Sequence, residues 1–177
     1  DIVRAEIVKH PTGRTDAIGK VVHVVGRHDD PGVETVVAIL SHGLPDEWPS
    51  SVQRHVDALP ANVPSSAKRN RVDLRKLPLV TIDGADAKDF DDAVYCEKNS
   101  EGWRLIVAIA DVSHYVELDS ALDQAALTRG TSVYFPDRVL PMLPEILSNG
   151  LCSLRPNVDR LCLCCEMEVS SKGEVTR

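Results

Sequence analysis

The sequence predicts a mixed α/β protein in which a small β-rich segment precedes a larger α/β segment. Over residues 1–45, short apolar runs alternate with turns that contain Gly and Pro. The later part combines a long apolar strand pattern, WRLIVAIADV, with a capped helical pattern, SALDQAALTRG. The polar stretch ANVPSSAKRNR separates the two segments and predicts a linker. We therefore expect a β-rich domain over residues 1–60, a linker over 61–71 and an α/β domain over 72–177.

The first segment contains three predicted strands. The first is an apolar run around Ile2, Ile7 and Val8, the second is GKVVHVVG and the third is VETVVAIL. Short strands joined by Gly/Pro turns are typical of part of a small barrel, and the OB type, which binds single-stranded nucleic acid, is one candidate. The segment has no aromatic residue before Trp48, so it lacks the base-stacking surface of such barrels. A purely structural role is equally compatible with the sequence.

A helix is predicted after these strands, in EWPSSVQRHVDALP. Ser50 or Ser51 supplies its N-cap and Pro60 ends it. The apolar residues between these signals recur at three- and four-residue spacing, so they share one face of the helix.

The second segment begins with a strand and a hairpin. LPLVTI predicts the strand, and the residues on both sides of the loop KNSEG predict the hairpin. The second arm of the hairpin is almost entirely apolar, as in a central strand. Ser120 caps the helix that follows, Asp123 occupies the third position as in a capping box, and Gly130 ends the helix.

The remaining predicted elements are short. TSVYFP predicts a short strand or turn, MLPEILSNG predicts a short helix that ends at Gly150, and RLCLCCEMEV predicts a buried strand. No run of about 18 apolar residues occurs, so the sequence predicts no membrane-spanning helix.

The sequence contains an odd number of cysteines: Cys96, Cys152, Cys162, Cys164 and Cys165. Cys162 and Cys165 form a C-x-x-C pattern, but no second pair of Cys or His follows at the spacing of a zinc site. We therefore expect reduced, buried thiols in a cytoplasmic protein.

The acidic stretch TIDGADAKDFDDAV, residues 81–94, is the strongest functional signal. It holds one basic residue, Lys88, and five aspartates: Asp83, Asp86, Asp89, Asp91 and Asp92. A solvated acidic loop is the simplest interpretation. Apolar residues between the acids indicate partial burial, however, and clustered carboxylates that are partly buried need a cation. Hard oxygen ligands suit magnesium, manganese or calcium.

The spacing of the acids narrows the choice of cation. An EF-hand loop that starts at Asp83 has Ala85 at its third position, and one that starts at Asp89 has Ala93 at its fifth, so calcium fits neither register. An aspartyl-phosphate site is a weak alternative, because the apolar strand VTI leads into Asp83 rather than into Asp89. A magnesium site for phosphate chemistry remains, in which the metal polarises a phosphoryl oxygen and activates a water.

Charge is unevenly distributed along the chain. The net charge of −7 argues against general affinity for nucleic acids, although the acidic stretch accounts for much of it. The run KRNRVDLRK, residues 68–76, carries five basic residues just ahead of that stretch. Such a run is typical either of a solvated linker or of a surface that contacts phosphates, and both interpretations stay open.

Four stretches resemble, in the same order, the start of the catalytic domain of the ribonuclease II (RNB) superfamily, which includes bacterial 3′→5′ exoribonucleases of the ribonuclease R type. They are TIDGADAKDFDDAVY, VAIADVSHYV, RGTSVYFPDRVLPMLPEILSNGLCSL and VDRLCLCCEM. Residues 1–70 resemble, less specifically, the end of a cold-shock (OB) domain of that family and a connecting segment. The implied architecture is a partial OB-type cold-shock β-barrel followed by the N-terminal part of an RNB catalytic domain.

The resemblance also implies an activity and a site. The activity is magnesium-dependent hydrolysis of RNA from a single-stranded 3′ end, with release of nucleoside 5′-monophosphates; manganese is an alternative metal. Asp83 and Asp92 are implied as direct metal ligands, and Asp91 as the group that holds the attacking water or a second metal. Asp89 is implied to support this coordination. Tyr134 is implied to stack on the 3′-terminal nucleotide, a contact that tolerates any base.

The chain is expected to be an internal piece of a longer protein, because it has no initiator Met and ends without a closing element. The resemblance implies that an arginine and a glutamate of the site lie beyond Arg177, so little or no nuclease activity is expected of this piece alone. A non-catalytic RNA-binding module is an alternative, and so is a magnesium phosphotransferase that acts through Asp89. A chelator would stop product formation by the enzyme but leave the RNA affinity of a binding module unchanged. A phosphorylated aspartate would identify the phosphotransferase.

Overall fold

A computed structural model describes all residues from 1 to 177 and confirms the mixed α/β class. The strands and α-helices are β1 (Ile2–Lys9), β2 (Ile18–Gly26), α1 (Val33–Ser41), α2 (Ser50–Asp57), β3 (Asp92–Lys98), β4 (Gly102–Ala110), α3 (Ala121–Arg129), β5 (Val133–Tyr134), β6 (Val139–Leu140) and β7 (Cys162–Ser170). A 3₁₀ turn spans Val112–His114 and a π-helical turn spans Ile146–Leu151. No helix has the length and apolar character needed to cross a membrane.

The chain forms two compact units. The first consists of residues 1–47 and 133–140, and the second of residues 48–132 and 141–177. The segment 133–140 thus belongs with the N-terminal residues. The domain boundaries at residues 60 and 71 that the sequence suggests stay a prediction.

The first unit is built on a two-stranded antiparallel ribbon, β1–β2, with register shifts along its length. The third predicted strand, VETVVAIL, is wrong, because these residues form α1. Gly32 precedes the helix with φ 80°, a left-handed conformation that favours glycine, and Thr35 and Ile39, four residues apart, are both buried on one face. The Thr35 hydroxyl donates to the Asp137 carboxylate at 2.8 Å, so a contact distant in sequence fixes this face.

The second unit contains a three-stranded antiparallel sheet in the order β3–β4–β7. The apolar arm of the predicted hairpin is the central strand β4, as expected. At the hairpin loop, the Asn99 side-chain oxygen accepts from the amides of Glu101 and Gly102 at 3.0 and 2.7 Å. The predicted strand LPLVTI is wrong apart from one bridge, in which Val80 and Val94 exchange backbone hydrogen bonds of 3.0 and 2.8 Å. Pro78 has no amide hydrogen to continue this pairing.

The core of the second unit lies between helices. Val52 of α2, Leu122 of α3 and Leu147 of the π-helical turn are 1%, 1% and 0% exposed and belong to one cluster. Burial of each such side chain stabilises the fold by roughly 1.5–3 kcal/mol. The helix α2 is confirmed, but its predicted cap is wrong, because Pro49 and not a serine is its N-cap.

Helix α3 forms as its sequence signals predict. The Ser120 hydroxyl accepts from the Asp123 amide at 3.2 Å, and Gly130 ends the helix with φ 72°. The Asp123 carboxylate accepts from the Asp119 amide at 2.9 Å rather than from the cap residue, so only half of the capping box is as predicted. The predicted short helix before Gly150 is a π-helical turn that continues to Leu151.

The predicted burial of the cysteines is wrong for most of them. All five thiols are free, but only Cys152 is buried. Cys96, Cys164 and Cys165 are exposed and lie on β3 and β7, the two edge strands of the sheet.

Candidate active site

The acidic loop, defined here as residues 81–91, runs between two anchored points of the second unit. At its start, the bridge between Val80 and Val94 holds the incoming and outgoing backbones together. A turn inside the loop is closed by the Ala87 amide, which donates to the Gly84 carbonyl at 3.0 Å. The acidic loop is therefore closed at its base by this bridge and lies next to β3.

The end of the acidic loop is fixed by the backbone of neighbouring segments. The Leu154 amide donates to the Phe90 carbonyl at 2.8 Å, and the Ala110 amide donates to the Asp91 carbonyl at 2.8 Å. Asp92 is the first residue of β3 and pairs with Ile109 of β4. Consecutive carboxylates at Asp91 and Asp92 thus project from a backbone that the sheet holds in place.

A serine that the sequence reasoning missed completes this anchorage. Ser153 is fully buried, and its hydroxyl donates to the Lys88 carbonyl at 2.6 Å and accepts from the Phe90 amide at 3.1 Å. The two backbone groups flank Asp89, so one hydroxyl fixes the backbone on both sides of a predicted site residue. The only sequence signal for Ser153 is its position inside one of the stretches that carry the resemblance, LCSL.

Three of the four predicted aspartates act electrostatically on the fourth, Asp91. Asp91 is exposed, but partial desolvation by neighbouring atoms raises its pKa above the ordinary value, and the negative charges of Asp89, Asp92 and Asp83 raise it further. The four carboxylates therefore lie close enough to interact. Asp86 is not among the charges that act on Asp91, in agreement with its place outside the predicted set.

The donor set suits a hard divalent cation, but the carboxylates do not converge on one point. Asp83, Asp91 and Asp92 form no ion pair with Lys or Arg, so excess negative charge stays in this region. Oxygen donors with uncompensated negative charge fit magnesium or manganese. No group of three or more His, Cys, Asp or Glu side chains is arranged to hold a metal ion. The assignment of individual ligands stays a prediction.

Cys152 lies beside the acidic loop and next to Ser153 in sequence. Burial raises the pKa of its thiol to about 12, and the charges of Asp91 and Asp111 act in the same direction. The thiol is therefore neutral at physiological pH and is a packing residue rather than a nucleophile.

The basic run of residues 68–76 is largely engaged in ion pairs within the second unit. Lys68 contacts Asp159 at 2.6 Å, Arg71 contacts Asp111 at 2.7 Å, and Arg75 contacts Asp73 and Asp159 at 2.7 and 3.4 Å. These three side chains fix the run to the rest of the unit. They favour an ordered segment over a freely solvated linker, and contact with phosphates stays a prediction.

A cavity of about 530 Å³ in the second unit lies apart from the acidic cluster. Small side chains of the sheet, Ala93 and Ala108, line it together with residues of the basic run and with Arg155 and Arg160. Thr81 also lines it, but none of the four predicted aspartates does. The predicted aspartates therefore lie outside this cavity; Asp83, Asp91 and Asp92 are exposed and Asp89 is half-buried.

Tyr134 lies in the first unit, on the short strand β5, where it pairs with Val139 of β6. The residue is 66% exposed, so it is not a core aromatic. The hairpin that presents it is closed by the Phe135 amide, which donates to the Arg138 carbonyl at 2.8 Å. Its role in stacking on RNA stays a prediction.

Two protein-family models match this chain. The model of the RNB domain matches residues 71–177, more than half of the chain. The chain belongs to the RNB domain family. The matched range contains the acidic loop, Ser153 and Tyr134, and a model of the cold-shock domain matches residues 1–49.

Relatives of this RNB chain share high sequence identity along its whole length. It is 59% identical to ribonuclease R of Vibrio cholerae and 58% identical to ribonuclease R of Escherichia coli K12, in each case over 99% of this chain and 22% of the relative. Ribonuclease R of Thermotoga maritima is 51% identical over 99% of this chain and 25% of the relative. The chain thus spans about a fifth to a quarter of the length of these relatives.

Solved structures of Mycoplasma genitalium RNase R have the same fold as this RNB chain. The complex with double-stranded RNA matches with a TM-score of 0.90 and 34% identity, over 99% of this chain and 31% of that structure. The complex with ribose-methylated single-stranded RNA matches with a TM-score of 0.89 and 34% identity, over 99% of this chain and 27% of that structure.

Proposed function

We propose that this chain is the part of a divalent-cation-dependent 3′→5′ exoribonuclease that carries the metal-binding carboxylates. The observation that carries the proposal is the cluster of four aspartates around Asp91 inside an RNB domain. Relatives with 51–59% identity are named ribonuclease R, and related structures contain RNA. The full activity belongs to the full-length protein, since this chain spans only a fraction of those relatives.

The carboxylates divide into ligands and supporting groups in this proposal. Asp83 and Asp92 hold a magnesium ion, for which manganese can substitute, and Asp91 orients the attacking water or holds a second ion. Asp89 supports the arrangement. When bound, the metal neutralises charge on the scissile phosphate and lowers the pKa of a bound water. Desolvation and the charges of Asp89, Asp92 and Asp83 raise the pKa of Asp91, and a bound cation would offset these charges.

The proposed reaction is hydrolysis of the last phosphodiester bond of an RNA strand. A water oxygen attacks the phosphorus, the bond from phosphorus to the 3′ oxygen of the preceding nucleotide breaks, and that oxygen takes up a proton. The products are a nucleoside 5′-monophosphate and an RNA shortened by one nucleotide with a free 3′ hydroxyl. Asp91 is suited to orient the water because its backbone carbonyl is fixed to β4.

Recognition of the RNA end is assigned to an aromatic contact. The exposed Tyr134 ring stacks on a base near the 3′ terminus, which requires no particular base identity. A single-stranded 3′ end is the expected substrate, because a base inside a duplex does not offer its face. We place this activity in the cytoplasm, where RNA turnover occurs.

The direct test is digestion of RNA by the full-length protein. An oligonucleotide labelled at its 5′ end should yield a ladder of shortening products in magnesium, and the released material should be nucleoside 5′-monophosphates. Excess chelator should abolish product formation. RNA binding that persists in chelator with no hydrolysis under any metal condition would instead support the non-catalytic binding module.

A further inference from the structure

The Ser153 hydroxyl makes two hydrogen bonds with the backbone of the acidic loop. Its hydroxyl proton is donated to the Lys88 carbonyl at 2.6 Å, and its oxygen accepts the Phe90 amide at 3.1 Å. The residue is 0% exposed, so water cannot replace either hydrogen bond without entering the core. Both partners are backbone atoms, and Asp89 is the residue between them.

The backbone of Ser153 is itself held from several sides. Its carbonyl accepts from the Arg160 guanidinium at 2.9 Å, and its amide donates to the Gly150 carbonyl at 3.2 Å. The next amide, of Leu154, donates to the Phe90 carbonyl at 2.8 Å. Hydrogen bonds therefore hold the backbone of Ser153 in place, and its hydroxyl in turn holds the backbone of the acidic loop.

We propose that Ser153 is a positioning residue that holds the carboxylates of Asp89 and Asp91 in place for cation binding. This inference rests on the proposed function and assigns to a residue outside the acidic loop a role in metal affinity. The hydroxyl bonds to backbone atoms and to no carboxylate, so its effect passes through the backbone from Lys88 to Phe90.

The charges of the loop explain why such a device is needed. Four neighbouring carboxylates repel one another when no cation is present, and repulsion favours any backbone movement that separates them. The loop has no regular secondary structure to resist that movement. A buried hydroxyl that donates to one peptide and accepts from the next opposes this movement. Less movement of the loop lowers the free-energy cost of gathering its carboxylates around an ion.

Ser153→Ala and Ser148→Ala in the full-length protein form a matched pair. Each substitution removes one buried hydroxyl from the same stretch of chain, but the Ser148 hydroxyl has no hydrogen-bond partner. Ser148→Ala should therefore behave like the wild type. Ser153→Ala should bind Mn²⁺ roughly 10–100-fold more weakly in a titration without RNA, as is common when a group that supports metal ligands is removed.

The Mg²⁺ dependence of kcat and the hydrogen exchange of the Phe90 amide distinguish a positioning role from a general loss of stability. Ser153→Ala should lower kcat at low Mg²⁺, recover as Mg²⁺ is raised and keep the KM for long RNA. Its Phe90 amide should exchange faster than in the wild type, while exchange in the helices stays unchanged. Ser153→Thr, which restores the hydroxyl, should recover Mn²⁺ binding.

The outcomes distinguish this inference from the proposed function. A wild-type protein that neither binds Mn²⁺ nor hydrolyses RNA overturns the proposed function. A wild-type protein that does both, with Ser153→Ala equal to Ser148→Ala in Mn²⁺ affinity and kcat, overturns only the positioning role. If Ser153→Ala does not fold, the wild type still decides, because rapid exchange of its Phe90 amide would contradict the hydrogen bond on which the role depends.

Discussion

The ion pair between Arg71 and Asp111 should contribute much more to stability than its neighbours in the basic run. Asp111 is 4% exposed, and its carboxylate accepts from Arg71 at 2.7 Å and from the Ser113 hydroxyl at 2.7 Å. Arg71→Met keeps most of the side-chain volume but leaves the buried carboxylate without its cation. Breaking a buried pair in this way costs about 3–5 kcal/mol, and the lower end applies because the Arg71 side chain is 32% exposed.

Arg75→Met is the matched control from the same basic run. The Arg75 and Asp73 side chains are 65% and 54% exposed, so this pair lies in water. Exposed pairs contribute about 0–1 kcal/mol. Urea denaturation of the 177-residue chain, followed by the fluorescence of Trp48 and Trp103, should therefore show a large loss for Arg71→Met and almost none for Arg75→Met.

The pH dependence of Arg71→Met provides an independent check. Burial by itself would raise the pKa of Asp111, but the hydrogen bonds from Ser113 and Arg71 outweigh it and lower the pKa. The stabilisation from the ionised form is thus complete above the ordinary pKa of an aspartate and is lost as pH falls through the lowered pKa. Without Arg71, the pKa of Asp111 rises towards the value that burial favours. The difference in stability should be widest near pH 7 and should narrow as the carboxylate becomes protonated.

Equal costs for Arg71→Met and Arg75→Met would refute this reasoning. A difference in unfolding free energy between Arg71→Met and the wild type that does not change between pH 7 and pH 4 would refute it as well, because the cost would then not come from a buried charge.

Three further predictions concern the site and the sheet. Asp91→Asn in the full-length protein should abolish most hydrolysis and keep RNA affinity, as compared by turnover and filter binding, because it removes a charge but little volume; near wild-type turnover would contradict its role. Tyr134→Ala should leave long RNA bound but change the size of the shortest product on a gel, since a stacked base contributes roughly 1–3 kcal/mol; unchanged end products would contradict stacking. Gly102→Ala should destabilise the sheet by several kcal/mol, on the order of other strained core changes, because its Cβ would collide with the Val169 carbonyl. Gly84→Ala, whose Cβ would meet no atom within 4 Å, should stay near wild-type stability, and equal urea midpoints for the two would refute the collision.

Local signals in the sequence were sufficient for some elements and misleading for others. The hairpin β3–β4 and helix α3 are specified by residues within the elements, such as the loop residue Asn99 and the cap Ser120, and both were predicted. Helix α1 has the β-branched residues of a strand, but it begins after Gly32 in a left-handed conformation, and Thr35 on its buried face contacts Asp137. That contact joins residues 102 positions apart, so no local pattern reports it.

The candidate site likewise contains some residues that the sequence reveals and others that only the structure reveals. The aspartates could be found because five acids crowd into a short stretch between apolar residues, a pattern that is visible without a structure. Ser153 could not, because its role depends on hydrogen bonds to residues 63 and 65 positions away. The same holds for Arg71, whose partner Asp111 lies 40 residues further along the chain and makes part of the basic run structural.

The central claim, that the acidic loop binds a divalent cation for RNA hydrolysis, is tested most directly by anomalous diffraction from crystals of the full-length protein soaked in Mn²⁺. We expect an anomalous peak within coordination distance of the Asp83 and Asp92 carboxylates, with Asp89 and Asp91 beside it, and its loss in Asp92→Asn. Crystals of a protein that hydrolyses RNA in Mn²⁺ but shows no peak at these carboxylates, or a peak only elsewhere, would contradict the account.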